Sequence, residues 1–299
     1  MPDFDLTITI CSWNACDDLR TCLQHLRDLS GEARFEVIIV ENNSEDGSGE
    51  MAEKEFPEFR LLRQTQNLGF TGGHNLAIRE AKGRHILLLN SDAFMHEGSI
   101  RTLMQFIQEH PDAGILGPKL LNGDGTLQYS CRRFPNPMAA LFRNTLLGKF
   151  FPNTKSVGDY LMKEFDHEAV ITVDWVSGAA LLVTEEALKK LKGLDPSYYM
   201  FCEDVDICWR AWEEGFKVYY VPQSVVTHLI GRSTDKAPNR MIWRFHKSML
   251  LFYRKHQAPK LPALVRPFAV GGAACALSLR AGAFFVKNRL DVLKRKWAR

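Results

Sequence analysis

Short apolar runs alternate with amphipathic stretches through the first 120 residues of the chain. The apolar runs have the length of strands and end in polar or glycine-containing turns. They predict buried β-strands at residues 6–13, 35–43, 59–64, 85–92 and 113–120. Apolar residues at helical spacing predict helices at residues 16–29, 73–83 (ended by Gly83) and 100–110. Strands that alternate with helices predict an α/β fold with a doubly wound, mostly parallel sheet.

The second half of the chain has a less regular pattern. Residues 121–170 contain Pro135, Pro137 and Pro152 and are predicted to form loops. The run VITVDWVSGAALLV predicts a strand, a tight turn at Ser177–Gly178, and then a strand or the start of a helix. Further strands are predicted at residues 217–222 and 225–231, and a helix with one basic face at residues 240–256.

Polar side chains follow four successive predicted strands. They are Ser12, Trp13 and Asn14, then Glu41, Asn42 and Asn43, then Asn67, and then Ser91 and Asp92. Ligands of doubly wound sheets bind beyond the carboxyl ends of the strands. A single residue of this kind is usually a turn former, but four strands that all end this way predict a shared polar cleft.

The glycines of NLGFTGGHN precede a predicted helix rather than follow the first strand. Gly69, Gly72 and Gly73 would let backbone N–H groups approach a nucleotide or a phosphate. The chain has no GxGxxG after the first strand and no GKS or GKT, which argues against a dinucleotide site and a P-loop.

The segment FCEDVDICWRAWEEGF, residues 201–216, begins with acids and continues as a predicted helix. At about 100° per residue, its apolar residues form one stripe. The stripe consists of Val205, Cys208, Trp209, Trp212 and Phe216. Asp206 falls opposite the stripe and four residues before Arg210, which predicts an exposed ion pair. Asp204 falls at the margin of the stripe, where it is either a cleft-facing catalytic acid or an ordinary helix-start acid.

The composition is that of an ordinary globular chain. Of its 299 residues, 45% are hydrophobic and 24% are charged, and the net charge of +3 is too small to indicate nucleic-acid binding. The seven cysteines form no CxxC pair, which indicates neither a zinc site nor a disulfide framework and favours a cytoplasmic location. The acidic N-terminus runs directly into a strand, so no signal peptide is predicted.

The C-terminal segment, residues 259–299, differs from the rest in character. Residues 267–286 are apolar apart from Arg280, and a basic tail follows them. About 20 apolar residues can span a bilayer, but a central arginine costs roughly 2.5–3.5 kcal/mol. We therefore expect a helix that lies on an anionic membrane surface. A membrane-spanning helix and a helix packed in a soluble protein are the two alternatives.

Seven motifs in order resemble the family 2 glycosyltransferases, which have the GT-A fold, and among them the bacterial rhamnosyltransferases. The motifs are VENNSEDGS, NLGFTGGHN, LLLNSDA, GTLQYSCRRFP, WVSGAALLV, FCEDVDICWRAWEEGF and THLIGRS. The resemblance covers about residues 6–256. It implies one catalytic domain over residues 1–258, in which about residues 1–120 bind the nucleotide sugar and residues 121–258 bind the acceptor.

The resemblance also implies the parts of a sugar-transfer site. A divalent cation, Mg²⁺ or Mn²⁺, would be bound by Asp92 and His228, although Asn90 stands where the family has the first aspartate of its metal motif. Asp204 would be the general base for an acceptor hydroxyl, and Glu203 would orient the acceptor. One base without a nucleophile implies direct displacement with inversion.

The resemblance also implies which residues contact the nucleotide and the sugar. Glu41 stands where family aspartates bind the pyrimidine edge. Other residues are implied to lie near the base, the ribose or the diphosphate. These are Asn67, His74 and Asn75, with Ser91 as a further candidate contact. Trp175 and Gly178 would line the bound sugar or acceptor.

The implied function is transfer of a sugar, rhamnose from dTDP-rhamnose, to a lipid-linked or polysaccharide acceptor. The enzyme would work with a dTDP- or UDP-sugar on the cytoplasmic face of the bacterial inner membrane, in the synthesis of cell-surface polysaccharide. The alternatives are a nucleotidyltransferase and a non-catalytic nucleotide-binding module of the same fold. CSWNACDD lacks the glycine and lysine that a nucleotidyltransferase loop would carry.

Overall fold

The computed structural model describes residues 3–135, 155–229 and 238–297. The predicted loops at Pro137 and Pro152 lie outside the described residues, as does the end of the predicted strand at 225–231.

The chain divides into two compact units. The larger comprises residues 1–199 and 203–232, and the smaller comprises residues 200–202 and 233–299. The domain boundary predicted at residue 259 therefore falls inside the smaller unit.

The described strands belong to the larger unit. They are β1 (Phe4–Ser12), β2 (Phe35–Glu41), β3 (Arg60–Arg63), β4 (Gly83–Asn90), β5 (Ala93–Met95), β6 (Ala113–Leu121), β7 (Leu127–Gln128), β8 (Cys131–Arg132), β9 (Ile171–Thr172), β10 (Trp175–Val176), β11 (Ala180–Val183) and β12 (Lys217–His228). The central mixed sheet has the order β3-β2-β1-β4-β11-β6-β12-β5, with β7 on β6 and β9 on β12. The five strands predicted in the first 120 residues are confirmed within about two residues at each end.

The helices of the larger unit connect these strands. They are α1 (Cys16–Asp28), α2 (Ser48–Glu55), α3 (Gly69–Glu80), α4 (Ser99–Glu109), α5 (Lys155–Leu161), α6 (Glu185–Leu191) and α7 (Glu203–Glu213). Strands β1 to β4 pair in parallel, as their alternation with helices predicts. Their apolar residues are buried, including Ile8, Ile39 and Leu87, because the faces of the sheet are covered by helices.

Residues 170–183, predicted to form a strand, a tight turn and then a strand or the start of a helix, contain three short strands. β9 joins β12, β10 pairs with β8 in a separate two-stranded sheet, and β11 lies antiparallel between β4 and β6. The two strands predicted at 217–222 and 225–231 are one strand, β12, whose register shifts between Val221 and Val225. Pro222 lies in this irregular stretch, where a residue without an N–H group is tolerated.

Gly83 does not end helix α3, as the sequence predicts, but begins β4. A Cβ atom at Gly83 would lie 2.4 Å from the backbone nitrogen of Thr7, so the close approach of β4 to β1 requires glycine. Helix α3 begins four residues earlier than predicted, at Gly69, which has a φ of +74° and lies against the Tyr199 carbonyl. Its positive φ is the reason for glycine there.

The ion pair between Asp206 and Arg210 on α7 is present but buried, which corrects the prediction of an exposed pair. Arg210 Nε lies 2.7 Å from Asp206 Oδ2, and Asp206 has no exposed surface. The guanidinium also donates to the carbonyls of Leu191 and Gly193. Arg210 thus satisfies a buried carboxylate and ties α7 to the end of α6. Trp212, predicted on the apolar stripe, is instead exposed.

The smaller unit consists of helices. They are α8 (Pro238–Phe252), a π-helical turn (Tyr253–Gln257), a 3₁₀ turn (Ala258–Lys260) and α9 (Arg266–Trp297). Arg280 of α9 faces α8, with its guanidinium 4.0 Å from Met249 Sδ and 5.7 Å from the centre of the Phe284 ring. The segment Arg266–Arg289 has a mean hydropathy of 1.6 and is long and apolar enough to cross a bilayer.

Replacement of Arg210 by Met will leave the Asp206 carboxylate buried without its cation. We expect a loss of about 3–5 kcal/mol in the free energy of unfolding, since breaking one partner of a buried pair strands the other charge. Urea unfolding followed by tryptophan fluorescence measures it. Lys190→Met is the control, because its pair with Glu214 spans 3.8 Å at half-exposed side chains and its loss changes little. A loss at Arg210 no larger than at Lys190 contradicts the prediction.

Candidate active site

The carboxyl ends of β1, β2 and β4 form one edge of the sheet. The register pairs Ser12 with Glu41 and Cys11 with Asn90, so three polar strand ends lie side by side. Ser12 and Glu41 are buried, and Ser12 Oγ has no hydrogen-bond partner in the described chain. The shared polar edge expected from the sequence is therefore present in the structure.

Asp92 and His228 meet at this edge although 136 residues separate them. Strand β12 pairs antiparallel with β5, which sets His228 opposite Ala93, and the Leu229 N–H donates to the Asp92 carbonyl. His228 Nε2 lies 3.4 Å from Asp92 Oδ1, and the side chains are 14% and 8% exposed. Asn90 contributes its amide nitrogen, 3.2 Å from the same His228 nitrogen.

This pair suits a divalent cation as a partial ligand set. A carboxylate oxygen and an imidazole nitrogen are both ligands that Mn²⁺ accepts, and a diphosphate would complete the coordination. The described residues contain no group of three His, Cys, Asp or Glu side chains able to hold a metal by themselves. Asp92 and His228 therefore fit a cation that arrives with a phosphate-bearing substrate.

Asp204 lies at the same edge, at the start of α7. Its Oδ2 accepts the Gly178 N–H at 3.0 Å and its Oδ1 accepts the Val205 N–H at 2.9 Å. The Ala179 carbonyl, one residue from Gly178, accepts the Asn90 N–H, so hydrogen bonds of the sheet connect the position of Asp204 to the end of β4. Asp204 is half-buried.

The electrostatics of Asp204 combine opposing effects. Burial raises its pKa, while the two N–H groups and then the charge of Arg132 lower it. Arg132 is a site residue that the sequence did not single out, and its guanidinium lies 5.0 Å from the centre of the Trp175 ring. A carboxylate that is ionised yet more basic than usual is suited to accept a proton.

Glu203, the neighbour of Asp204, is in a different state. It is 6% exposed, and Oε2 has no hydrogen-bond partner in the described chain. Burial raises its pKa well above the usual value, and the charge of Asp204 adds to this. The Glu203 carboxyl is therefore harder to ionise than an ordinary glutamate.

Two residues before α7 have strained backbone. Phe201 and Cys202 have φ angles of +71° and +65°, a region that side chains other than glycine rarely adopt. Within the smaller unit, Ser248 donates to the Met200 carbonyl and the Phe201 ring packs edge-on against Phe245. These contacts hold the strained turn that leads into the acidic pair.

Residues 7–163 match the family model described as glycosyl transferase family 2. A relative from Mycobacterium tuberculosis, N-acetylglucosaminyl-diphospho-decaprenol L-rhamnosyltransferase, is 30% identical over 235 residues, which is 75% of this chain and 76% of the relative. The rhamnosyltransferase WbbL of Escherichia coli is 28% identical, over 54% of this chain and 60% of its own. The chain belongs to glycosyl transferase family 2.

Solved structures agree on the fold. The mannosyltransferase PcManGT of Pyrobaculum calidifontis, in complex with GDP-Man and Mn²⁺, has a TM-score of 0.55 at 16% identity, and covers 98% of this chain and 83% of its own. The S. aureus TarS fragment 1–349 in complex with UDP has a TM-score of 0.54 at 15% identity, over 93% of this chain and 82% of its own. This glycosyltransferase therefore has the GT-A type of fold.

Three of the predicted contact residues have structural partners instead. His74 is 1% exposed and its Nδ1 lies 2.8 Å from Thr9 Oγ1, and burial lowers its pKa to about 3. The Asn75 amide makes two hydrogen bonds to the backbone of Leu194. Trp175 is buried. The nucleotide and sugar contacts predicted for these side chains are corrected to packing roles in this glycosyltransferase.

The glycines of the α3 region also serve packing. A Cβ atom at Gly73 would lie 2.3 Å from Cys11 Sγ, and one at Gly72 would lie 2.9 Å from Leu68 Cβ. The close approach that requires glycine is therefore to protein atoms. Asn67 caps this turn by accepting the Gly69 N–H and the Tyr199 hydroxyl.

The loops after β1 and β2 hold each other in place. Asn14 Oδ1 accepts the Glu45 N–H, and Glu41 Oε1 accepts the Ser44 N–H at 2.6 Å. Asn14 and Asn43 have positive φ angles of 51° and 62°, which asparagine tolerates best among residues with a side chain. Trp13 is half-buried and Asn43 is exposed, so both can reach a ligand at this edge.

Two other clefts lie away from this edge. One of 680 Å³ is lined by Asp5, Arg84, Ala113 and Glu185, at the amino ends of β1, β4 and β6. Ligands of sheets with parallel strands bind at the carboxyl ends, and the polar groups described above converge there. The open carboxyl edge is therefore the better candidate for the active site.

The raised pKa of Glu203 predicts a pH-dependent stability. Because its pKa is raised in the folded state, its contribution is present below the unfolded value of 4.5 and is lost as pH rises. Glu203→Gln removes this loss, so the variant gains stability relative to the wild type as pH rises above 4.5, by up to about 1.4 kcal/mol per pH unit.

Urea unfolding of both proteins at a series of pH values measures this difference. The exposed Glu97, changed to Gln, is the matched control and should give a difference that is flat with pH. If the stability difference between Glu203→Gln and the wild type is also independent of pH, the pKa of Glu203 is not raised in the folded state and the prediction is wrong.

Proposed function

We propose that the chain is an inverting rhamnosyltransferase that moves rhamnose from dTDP-rhamnose to a lipid-linked acceptor. The observation that carries the proposal is the half-buried Asp204 carboxylate, held by two N–H groups beside the Asp92–His228 pair. The names of the relatives from Mycobacterium tuberculosis and Escherichia coli support the sugar, and the first of these names supports a lipid-linked acceptor.

Asp204 acts as the general base in this proposal. An acceptor hydroxyl loses its proton to the Asp204 carboxylate as its oxygen bonds to the anomeric carbon, and the bond from that carbon to the diphosphate oxygen breaks. Attack from the face opposite the leaving group inverts the anomeric configuration. Glu203 keeps its own proton and can donate a hydrogen bond to orient the acceptor.

Asp92 and His228 would hold the divalent cation, Mg²⁺ or Mn²⁺, together with the diphosphate of the donor. The cation would supply positive charge that neutralises the departing diphosphate. The Mn²⁺ in the solved mannosyltransferase complex supports this assignment. Arg132 adds a second positive charge near Asp204, and Ser91 and Gly178 border the same space.

The nucleotide binds over the ends of β1 to β3 in this proposal. Ser12, Trp13 and Asn14 of the first loop and Glu41 and Asn43 of the second supply the contacts to base and ribose. Glu41 would accept from the N3–H of a pyrimidine, which thymine and uracil share. Either a dTDP- or a UDP-sugar is therefore compatible with it.

Asp204→Asn tests the proposal because the amide cannot take a proton. We expect transfer to fall by about 10²–10⁴-fold. Binding of dTDP or UDP with Mn²⁺ should still raise the melting temperature, since a ligand of the folded state stabilises it by mass action.

Wild-type protein screened with dTDP-, UDP- and GDP-sugars plus Mn²⁺ gives the reference and identifies the nucleotide. Asp206→Asn would disturb the fold, so the matched control is Asp28→Asn, an exposed residue at the end of α1. Turnover of Asp204→Asn at the wild-type rate would contradict the role of Asp204 as base. Wild-type protein that binds the nucleotide but transfers no sugar would favour the alternative of a nucleotide-binding module without catalysis.

We also propose that the smaller unit binds the surface of an anionic membrane. Phe268, Leu279 and Val286 are exposed and lie within about 20° of one another on α9. Leu264, just before the helix, is also exposed. Arg280, the charge that would oppose insertion, faces α8 instead.

Basic residues follow these apolar residues in the sequence. They are Lys287, Arg289, Lys294, Arg295, Lys296 and Arg299. Anionic lipid attracts such residues with about 1 kcal/mol each. A peripheral enzyme on the cytoplasmic face would thus meet a lipid-linked acceptor where that acceptor resides, which supports a role in the synthesis of cell-surface polysaccharide.

Replacing Leu264 and Phe268 together by Ser tests the membrane proposal. We expect at least about tenfold weaker binding to vesicles with anionic lipid, because each exposed apolar side chain loses its burial in the interface. Sedimentation with vesicles measures it, with neutral phosphatidylcholine vesicles for comparison. Tyr129→Ser, an exposed aromatic of the larger unit, should bind as the wild type does. Unchanged binding of the double variant would contradict the proposal.

A further inference from the structure

Gln128 bonds to the ring of His228 on the side away from Asp92. Gln128 Oε1 lies 2.7 Å from His228 Nδ1, while Asp92 and Asn90 lie near Nε2. We propose that Gln128 is a positioning residue that fixes the tautomer of His228 and so keeps Nε2 free to bind a cation. The role of this tautomer in the reaction rests on the function proposed above.

The orientation of the Gln128 amide follows from its other partners. Its Nε2 lies 3.1 Å from the His228 backbone carbonyl and 3.0 Å from Asn122 Oδ1. A backbone carbonyl can only accept, so the atom facing it must be the amide nitrogen. The oxygen of the Gln128 amide therefore faces His228 Nδ1, and Nδ1 must be the donor.

The proton on Nδ1 of His228 determines whether the other ring nitrogen, Nε2, can accept or donate. In a neutral imidazole one nitrogen donates and the other accepts, so His228 Nε2 carries a lone pair. That lone pair accepts from the Asn90 amide at 3.2 Å and also faces Asp92 Oδ1 at 3.4 Å. Two electron-rich atoms this close favour a cation between them. The tautomer fixed by Gln128 is thus the one in which His228 can be a ligand.

The hairpin between β6 and β7 holds Gln128 in its position. Gln128 pairs with Leu120 of β6, and the Asn122 N–H donates to the Thr126 carbonyl at 2.8 Å. The Asn122 side chain donates to Thr126 Oγ1 at 2.9 Å. The amide that orients His228 therefore projects from a closed turn rather than from a free loop. Hydrogen bonds of this kind behind a metal-binding histidine set both tautomer and ring orientation.

Without Gln128, the favoured tautomer changes. Nδ1–H would lose its acceptor, and the proton would move to Nε2, where it could donate to the Asp92 carboxylate. A cation would then have to displace that proton. We expect Gln128→Met, which keeps the length of the side chain and removes the amide, to shift His228 toward the Nε2–H form.

Long-range ¹H–¹⁵N spectra of metal-free, ¹⁵N-histidine-labelled protein report the tautomer, with His228→Gln to assign the signals. At about pH 8.5, where an unperturbed imidazole is neutral, the wild type should show Nδ1 protonated and Gln128→Met should show protonation at Nε2. Gln128→Glu still offers an acceptor to Nδ1 and should restore the wild-type pattern. If Gln128 had only a structural role, Gln128→Met and Gln128→Glu would not differ in the tautomer of His228.

Mn²⁺ affinity, measured by electron paramagnetic resonance in the presence of dTDP or UDP, is the second readout. Gln128→Met should bind Mn²⁺ about 10–100-fold more weakly, with Gln128→Glu near the wild type. Gln24→Met is the matched control, since Gln24 is exposed on α1 and its side chain bonds to Asp28. Asn122→Ala serves as the second variant should Gln128→Met lower the melting temperature strongly, because it frees the Gln128 amide to rotate.

An unchanged tautomer in Gln128→Met would overturn the inference. Unchanged Mn²⁺ affinity together with a changed tautomer would overturn the claim that Gln128 serves the cation. If Asp92→Asn and the wild type bind Mn²⁺ equally, the proposed metal site itself fails, while the tautomer spectra still decide the role of Gln128.

Discussion

The antiparallel insertion of β11 between β4 and β6 is the constraint on which the candidate active site depends. Its register pairs Ala180 with Leu89, so that the next residues, Ala179 and Gly178, lie beside Asn90. Gly178 then offers its N–H to Asp204. A shift of one residue would turn this N–H away and reverse the faces of β11. Leu181 and Leu182 have no exposed surface, so both faces of β11 are buried in the sheet's core.

The same reasoning applies to the pair of Asp92 and His228. Strand β12 runs parallel to β6 and then antiparallel to β5, and this second pairing brings His228 to Ala93. Both strands that deliver late residues to the site are therefore positioned by the early half of the sheet. Backbone hydrogen bonds, rather than contacts among the catalytic side chains, bring the groups together.

The early strands and their polar ends were predictable because apolar runs and turns are local signals. Burial of polar side chains was not, since it depends on partners distant in the chain. His74 was assigned to the nucleotide by its motif, yet it bonds to Thr9 in the core, and Asp206 pairs with Arg210 in the interior. The sequence does not indicate a role for Gln128, because its partner, His228, is 100 residues away. The available signal was a polar residue in a short strand directly after the tight NGDGT turn.

The two adjacent carboxyls at the start of α7 divide their roles by environment. Asp204 has two N–H groups and a half-open side chain, while Glu203 is buried with an oxygen that has no partner in the described chain. Burial and the charge of Asp204 raise the pKa of Glu203 well above its usual value, so Asp204 is the easier of the two to ionise. Only an ionised carboxylate can receive a proton from a hydroxyl. The two environments thus favour Asp204 over Glu203 in the proposed role of base.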